Sequence, residues 1–409
     1  GDGPVVAKLH VPQSGRPRAG PTNAAPGRFC AKVGGVVAAP GRWNAWARSE
    51  LDGIRAAGRW RSPRTFDAKG PEGTIDGRHV VSFASNDYLG LSAQPQVVAA
   101  AHDALDRWGA GSTASRLVVG SRPCHEELEA EIADWKGTDR AVVLPTGYAA
   151  NLAVLGALGG PGVTVLSDEL NHASIIDGCR LSRSEVRVYR HRDLDHLEEL
   201  LAAAGPRTIV VTDSVFSMDG DTAPVDDLAR LCAGAGALLV LDEAHAVLGP
   251  DLHDGHEGLE LLRVGTLSKS LGSLGGWVAG SAPLVELLVN RARPYIFTTA
   301  PTPADVAAAL AALRLLRGDE GARLVAQLRD AIDLVRPGHP SPIVPLVLGD
   351  ERRAVAASDA LLERGFLVPA IRPPTVPVGT SRLRVALSAA HRRDAVRDLV
   401  AALDELGLR

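Results

Sequence analysis

Ala237-Leu-Leu-Val-Leu-Asp242-Glu-Ala-His245 and Val264-Gly-Thr266-Leu-Ser268-Lys269 are two short runs that each carry a reactive side chain at their far end. The first has no polar alternation, so it reads as a strand buried on both faces, the habit of a parallel sheet covered by helices. Similar short runs lie on either side, at 141–144, 163–167, 186–189, 208–212 and 277–279, and patterns of helical period fit between several of them, as at 125–135, 195–204 and 225–233. Strands alternating with helices give an α/β fold with a mostly parallel central sheet. Ligands in such sheets sit beyond the carboxyl ends of the strands, which is where Asp242, His245 and Lys269 fall.

A second pattern begins after an expected helix at 303–317, with strands at 343–348 and 383–386 and a helix at 393–406, which reads as a smaller α+β domain. Residues 1–42, rich in Gly, Pro and Ala and without sustained period, read as a flexible leader. A helix at 43–61 and a strand at 79–83 follow. The expected organisation is thus a leader over 1–42, a helix and strand segment over 43–83, a large cofactor-binding domain over 84–297 and a small C-terminal domain over 298–409.

Composition narrows the function. The chain has 409 residues, 45% of them hydrophobic, and 44 basic against 48 acidic side chains give a net charge of −4. That is the profile of a globular protein with a large core and no basic excess for nucleic acid. No apolar stretch is long enough to span a bilayer. The four cysteines, Cys30, Cys124, Cys179 and Cys232, form no C-x-x-C and suit a reducing compartment, so a cytoplasmic enzyme is expected. Only five lysines stand beside thirty-nine arginines, and Lys269 is the only lysine after Lys136. A lysine kept in so arginine-biased a chain, within a glycine-rich apolar stretch, is informative.

A lysine against an apolar wall has a lowered pKa and supplies the free amine that carbonyl chemistry needs. A buried aspartate at a nearby strand end can hold a pyridinium nitrogen protonated, the pairing of a pyridoxal phosphate site. The plain alternative is a buried Asp242–Lys269 ion pair, which is costly and rarely kept without a reason. Gly147 and Tyr148 open an expected helix over 148–158, whose amides and dipole suit a phosphate. The loop 250–260 carries His253 and His256 beside several acids and reads as a solvated insertion rather than a metal site.

The motifs Ser85-Asn-Asp-Tyr-Leu-Gly-Leu91, Gly109-Ala-Gly-Ser-Thr-Ala-Ser-Arg116, Thr146-Gly-Tyr148, Asn171-His-Ala-Ser174, Ser214-Val-Phe-Ser-Met-Asp-Gly220, Asp242-Glu-Ala-His245 and Thr266-Leu-Ser-Lys269 occur in order. Together, over about residues 43–408, the chain resembles the α-oxoamine synthase family of pyridoxal phosphate enzymes. The resemblance implies a fold-type I, aspartate aminotransferase-like transferase working as a homodimer. It implies that Lys269 holds the cofactor and moves the substrate Cα proton. Asp242 would bind the ring nitrogen, His245 the phenolic oxygen, and His172 would stack on the ring. Gly147, Tyr148, Thr266 and Ser217 would contact the cofactor, as would Thr298 or Thr299 from a neighbouring subunit. Arg372 would take the substrate carboxylate in bidentate fashion, with Thr375 and Arg61 as further substrate contacts. Ser85–Leu91 itself reads as a turn leading into a helix, without a direct catalytic role.

The segment Ala370-Ile-Arg-Pro-Pro-Thr-Val-Pro377 with Gly379-Thr-Ser-Arg-Leu-Arg384 resembles the family members that condense L-alanine with a pimeloyl thioester, carried by CoA or an acyl carrier protein. Two alternatives stay open. One is another member using glycine or serine with a different acyl thioester; the other is a non-catalytic homologue, against which the joint presence of Lys269, Asp242, His245 and His172 argues. After His245 the chain reads Ala-Val-Leu-Gly, where the family commonly has a smaller residue and a glycine turn, so the acyl pocket is the less defined part.

Overall fold

The computed structural model describes residues 41–253 and 255–409, which cluster as two compact units, one ending at Ser62 and the other spanning Pro63–Arg409. The expected leader lies, but for its last two residues, outside the described residues. In the first unit a helix runs over Arg42–Ala56, shorter than the 43–61 that the period suggested. Gly58 adopts a φ of +66°, the left-handed conformation that closes a helix and that glycine enters without steric cost.

The second unit is built on a seven-stranded sheet. Its spatial order is Arg140–Leu144, Gly276–Gly280, Glu260–Thr266, Leu238–Asp242, Thr208–Asp213, Thr164–Asp168, Glu185–Tyr189. Only Gly276–Gly280 runs antiparallel to its neighbours. The expected strands fall within a residue or two of these bounds except Glu260–Thr266, which starts earlier than 264. Glu260 pairs with Leu238 at the exposed end of that strand, and Glu260 and Arg263 interrupt the apolar run by which it was recognised.

Val240, Val264 and Val278 are fully buried on these strands, each worth about 2 kcal/mol of transfer free energy. Gly265 fits because the Trp277 indole on the neighbouring strand lies against it: a Cβ there would stand 2.3 Å from the ring. Helices cover both faces. Pro123–Lys136 and Pro303–Leu316 pack with the core that also holds Trp277 and Leu267, while Gly147–Leu158 packs with Val142, Val264 and Val278. A three-stranded antiparallel sheet, Ile343–Gly349, Ser381–Ala386 and Ala370–Ile371, forms the C-terminal part. Among the described residues no helix is long and apolar enough to cross a membrane.

The loop after Thr208–Asp213 is pinned from behind by His191. Its Nδ1 lies 2.9 Å from Asp168 Oδ1 and its Nε2 2.9 Å from Asp221 Oδ2. Burial alone would lower the pKa of this imidazole, but hydrogen bonds and charge from both aspartates outweigh it and raise the value to about 9. Because the folded value exceeds the ordinary one of about 6.5, the contribution is complete below that pH and is lost as pH rises through about 9. Urea melts are expected to show the unfolding equilibrium constant growing roughly tenfold to a hundredfold from this group between those pH values. His191→Gln is expected to flatten that slope; an unchanged slope would remove His191 as its cause.

Candidate active site

The carboxyl ends of the parallel strands converge as the sequence suggested. Asp242 ends Leu238–Asp242 and is buried. Its Oδ2 accepts from Asn151 Nδ2 at 2.6 Å and its Oδ1 from the Ala244 amide at 2.9 Å. Asp213 ends the adjacent strand in register with Asp242. Burial, and then the Asp242 charge, push the Asp213 carboxyl well above the usual carboxylate range. Asp213 Oδ2 accepts the His172 amide at 2.7 Å. His172 caps the helix Ala173–Ser182, with its Nδ1 2.8 Å from Ser174 Oγ, and Ser174 Oγ also accepts from Asn151.

Lys269 stands just past the strand Glu260–Thr266, its Nζ 2.9 Å from His245 Nε2. Burial lowers its pKa, partly offset by the charges of Asp242 and Asp213. His245 is held well below its ordinary value, by burial first and then by the Lys269 charge. Among the described residues no ion pair joins Asp242 to Lys269: the carboxylate is met by two neutral donors, and the amine by an imidazole. The plain ion-pair alternative is therefore not what is built. A buried carboxylate without a counter-cation, a shielded amine without a carboxylate, and an open acceptor at Asn151 Oδ1 fit a group carrying a cationic ring nitrogen and a carbonyl carbon.

The other end of such a group has a cradle. Thr146 caps the helix Gly147–Leu158 by accepting the Ala149 amide, leaving the first-turn amides of Gly147 and Tyr148 to face outward along the helix dipole. A Cβ on Gly147 would stand 3.1 Å from Thr266 Cβ, and one on Gly276 would stand 2.3 Å from the Thr146 carbonyl oxygen. Both glycines thus let three chain segments meet where a phosphate suits the helix N-terminus. Thr266 Oγ1 joins them, 2.7 Å from Ser268 Oγ.

The remaining expected residues are placed less uniformly. Ser217 lies in the loop after Asp213 and gives its carbonyl to Arg384 Nε at 2.6 Å. Thr298 and Thr299 are exposed, and Thr299 bridges Ser115. Arg372 is half-buried beyond the strand Ala370–Ile371, its carbonyl accepting from the exposed Thr375, and Arg61 belongs to the first unit. His253 and His256 both address Asp226, which their hydrogen bonds hold near pKa 2.

Sequence reasoning missed Asn86, Tyr88, Asn151 and Arg384. Ser85–Leu91, expected only as a turn, contributes two side chains: Tyr88 Oη lies 2.6 Å from His245 Nδ1 and 2.9 Å from Asn86 Oδ1, and Arg384 Nη2 donates to that same oxygen at 3.1 Å. The neighbouring Arg382 pairs with Asp219. A signal for Arg384 was the placing of two arginines beside Leu383 and Val385 in the strand Ser381–Ala386, where both are buried.

The chain as a whole is similar to known proteins. The model of the family "Aminotransferase class I and II" matches residues 78–403. The chain is 51% identical over 377 residues to the 8-amino-7-oxononanoate synthase of Anaeromyxobacter dehalogenans, covering 88% of this chain and 94% of that protein. A serine palmitoyltransferase variant from S. paucimobilis, solved with bound PLP–myriocin aldimine, superposes with a TM-score of 0.82 at 30% identity, over 89% of this chain and 98% of that one. The 8-amino-7-oxononanoate synthase of Francisella tularensis gives 0.67 at 27% identity, over 80% and 98%. With the match running through the seven-stranded and the three-stranded sheet, the chain belongs to the aminotransferase class I and II family and, within it, to the α-oxoamine synthases.

Proposed function

We propose that this chain, with pyridoxal phosphate, condenses L-alanine with pimeloyl-CoA or a pimeloyl carrier protein, releasing the thiol and carbon dioxide to give 8-amino-7-oxononanoate for biotin synthesis. The observation that carries the reading is the unpaired couple itself, Asp242 without a cation and Lys269 beside His245. Similarity to the Anaeromyxobacter enzyme supports the substrates.

Pyridoxal phosphate supplies, when bound, an electron-withdrawing ring that accepts the electron pair left on a substrate carbon. Lys269 would hold it and carry the Cα proton, a task suited to an amine whose pKa burial has lowered. Asp242 would keep the ring nitrogen protonated, and His245, whose Nε2 lies beside Lys269, would meet the phenolic oxygen. His172 would cover the ring, and Gly147, Tyr148, Thr266 and Ser217 would hold the phosphate end. Arg384, already tied to Asn86, would join Arg372 as a guanidinium for the substrate carboxylate.

A homodimer is supported by exposed apolar side chains at Leu117, Val118, Val119 and Phe297, next to the Ser115–Thr299 bridge. A second copy seated there would bring Thr298 and Thr299 toward its neighbour's site. Three free, buried cysteines among the described residues support a cytoplasmic enzyme.

The test is thiol release and product mass with pimeloyl-CoA and each of L-alanine, glycine and L-serine. L-alanine is expected to exceed the others at least tenfold in kcat/KM, about 1.4 kcal/mol of discrimination. A preference for L-serine, the reading that the likeness to serine palmitoyltransferase favours, would keep the family and replace the substrate.

A further inference from the structure

Five side chains, reaching from the three-stranded sheet to the ends of the seven-stranded one, form one hydrogen-bonded line whose direction can be read from donor chemistry. Arg384 can only donate, so the amide oxygen of Asn86 must face it, as it does at 3.1 Å. Tyr88 Oη lies 2.9 Å from that same oxygen, which has no proton to give, so the hydroxyl donates to Asn86. Having spent its single proton there, Tyr88 Oη can only accept from His245 Nδ1 at 2.6 Å. His245 therefore carries its proton on Nδ1 and presents a lone pair at Nε2. The far end is compatible: Lys269 Nζ, 2.9 Å from Nε2, donates when charged and when neutral still has N–H bonds to give. With the imidazole neutral, as its burial favours, no other assignment satisfies every contact.

We infer that Tyr88 is a positioning residue that fixes His245 as the Nδ1-protonated tautomer, so that Nε2 accepts an N–H of Lys269 and turns the amine's lone pair away from the imidazole into the site. Tyr88 is itself fully buried, and burial pushes its hydroxyl up to about 12, so its proton stays in place across the working pH range. The positioning role rests on the activity proposed above. The tautomer does not, because it belongs to the folded chain and is read without substrate.

Solid-state 15N spectra of histidine-labelled protein freed of cofactor, in which Lys269 keeps its amine, separate the two tautomers, and the His245 signal among twelve histidines is assigned by its loss in His245→Asn. Wild-type His245 is expected to be protonated at Nδ1. Tyr88→Phe, which keeps the ring and deletes the hydroxyl, is expected to move that proton to Nε2, wholly or in part. It should also lower kcat about tenfold while KM for L-alanine changes less than about twofold, as for other residues that orient a reacting side chain. Nε2 protonation in the wild type overturns the assignment outright, and does so even if the phenylalanine variant fails to fold. An unmoved proton in Tyr88→Phe, or a moved proton with unchanged kcat, removes Tyr88 from the role. Loss of the proposed condensation activity in a wild-type protein that still shows Nδ1 protonation would count against the function alone.

Discussion

Lys269→Arg is expected to lower kcat by at least about a thousandfold, the combined loss of a covalent anchor and a proton carrier. The substitution keeps positive charge and length, so electrostatics around Asp242 and Asp213 change little. What it removes is the ability to be neutral: a guanidinium does not deprotonate in proteins, whereas the Lys269 amine is already lowered by burial. The guanidinium also offers no lone pair toward a carbonyl carbon. The check is a single-turnover assay beside a circular dichroism spectrum and the visible spectrum of the cofactor-loaded protein. Native-like circular dichroism, with cofactor absorbance that washes out on dialysis, would show the anchor gone and the fold kept. Turnover within tenfold of wild type would end the assignment of Lys269.

Asp242→Asn is expected to cost a comparable factor, about a hundredfold to a thousandfold in kcat, together with some stability, for two separable reasons. The amide cannot hold a ring nitrogen protonated, so electron withdrawal weakens. It also meets a fixed pair of donors, the Asn151 amide at 2.6 Å and the Ala244 N–H at 2.9 Å. One amide oxygen can satisfy one of them, which leaves an NH2 facing a donor in a buried site, a mismatch of about 1–3 kcal/mol. Asn151→Asp in the same chain reverses the polarity of that contact. If it restores the melting temperature of Asp242→Asn without restoring kcat, the structural and electronic parts are separated. A single variant with wild-type turnover would show that Asp242 does not serve the ring nitrogen.

The central sheet was legible because its strands are short apolar runs ended by polar residues, and because a parallel sheet puts those ends on one side. Asp242, His245 and Lys269 could be read for that reason: each directly follows a recognisable strand. Tyr88 and Asn86 could not, since what makes them part of the site is contact with His245 and Arg384, far away in sequence and set by tertiary packing. Tyr88 looks like any aromatic in an apolar turn until its hydroxyl is seen against an imidazole. Arg384 was hidden differently, standing among thirty-nine arginines in a strand recognised only from Leu383 onward. Arg372 drew attention through its proline-rich context, a local signal, whereas Arg384 is placed by the pairing of Ser381–Ala386 with Ile343–Gly349. Glycines were ambiguous for the same reason: Gly147 and Gly276 matter through what stands opposite them.

Arg382 and Arg384 grip the loop that carries Ser217 and Asp219, across 163 and 167 residues of sequence. During synthesis the chain therefore emerges with most of its central sheet long before that grip exists. A nascent chain released only as far as Gly280 would hold the strand-end aspartates and lysine but not the strand that fixes the loop and completes the line from Arg384 to Lys269. The residues that would hold the cofactor are thus delivered first, and the line that orients them is closed only after the ribosome has delivered the C-terminal sheet.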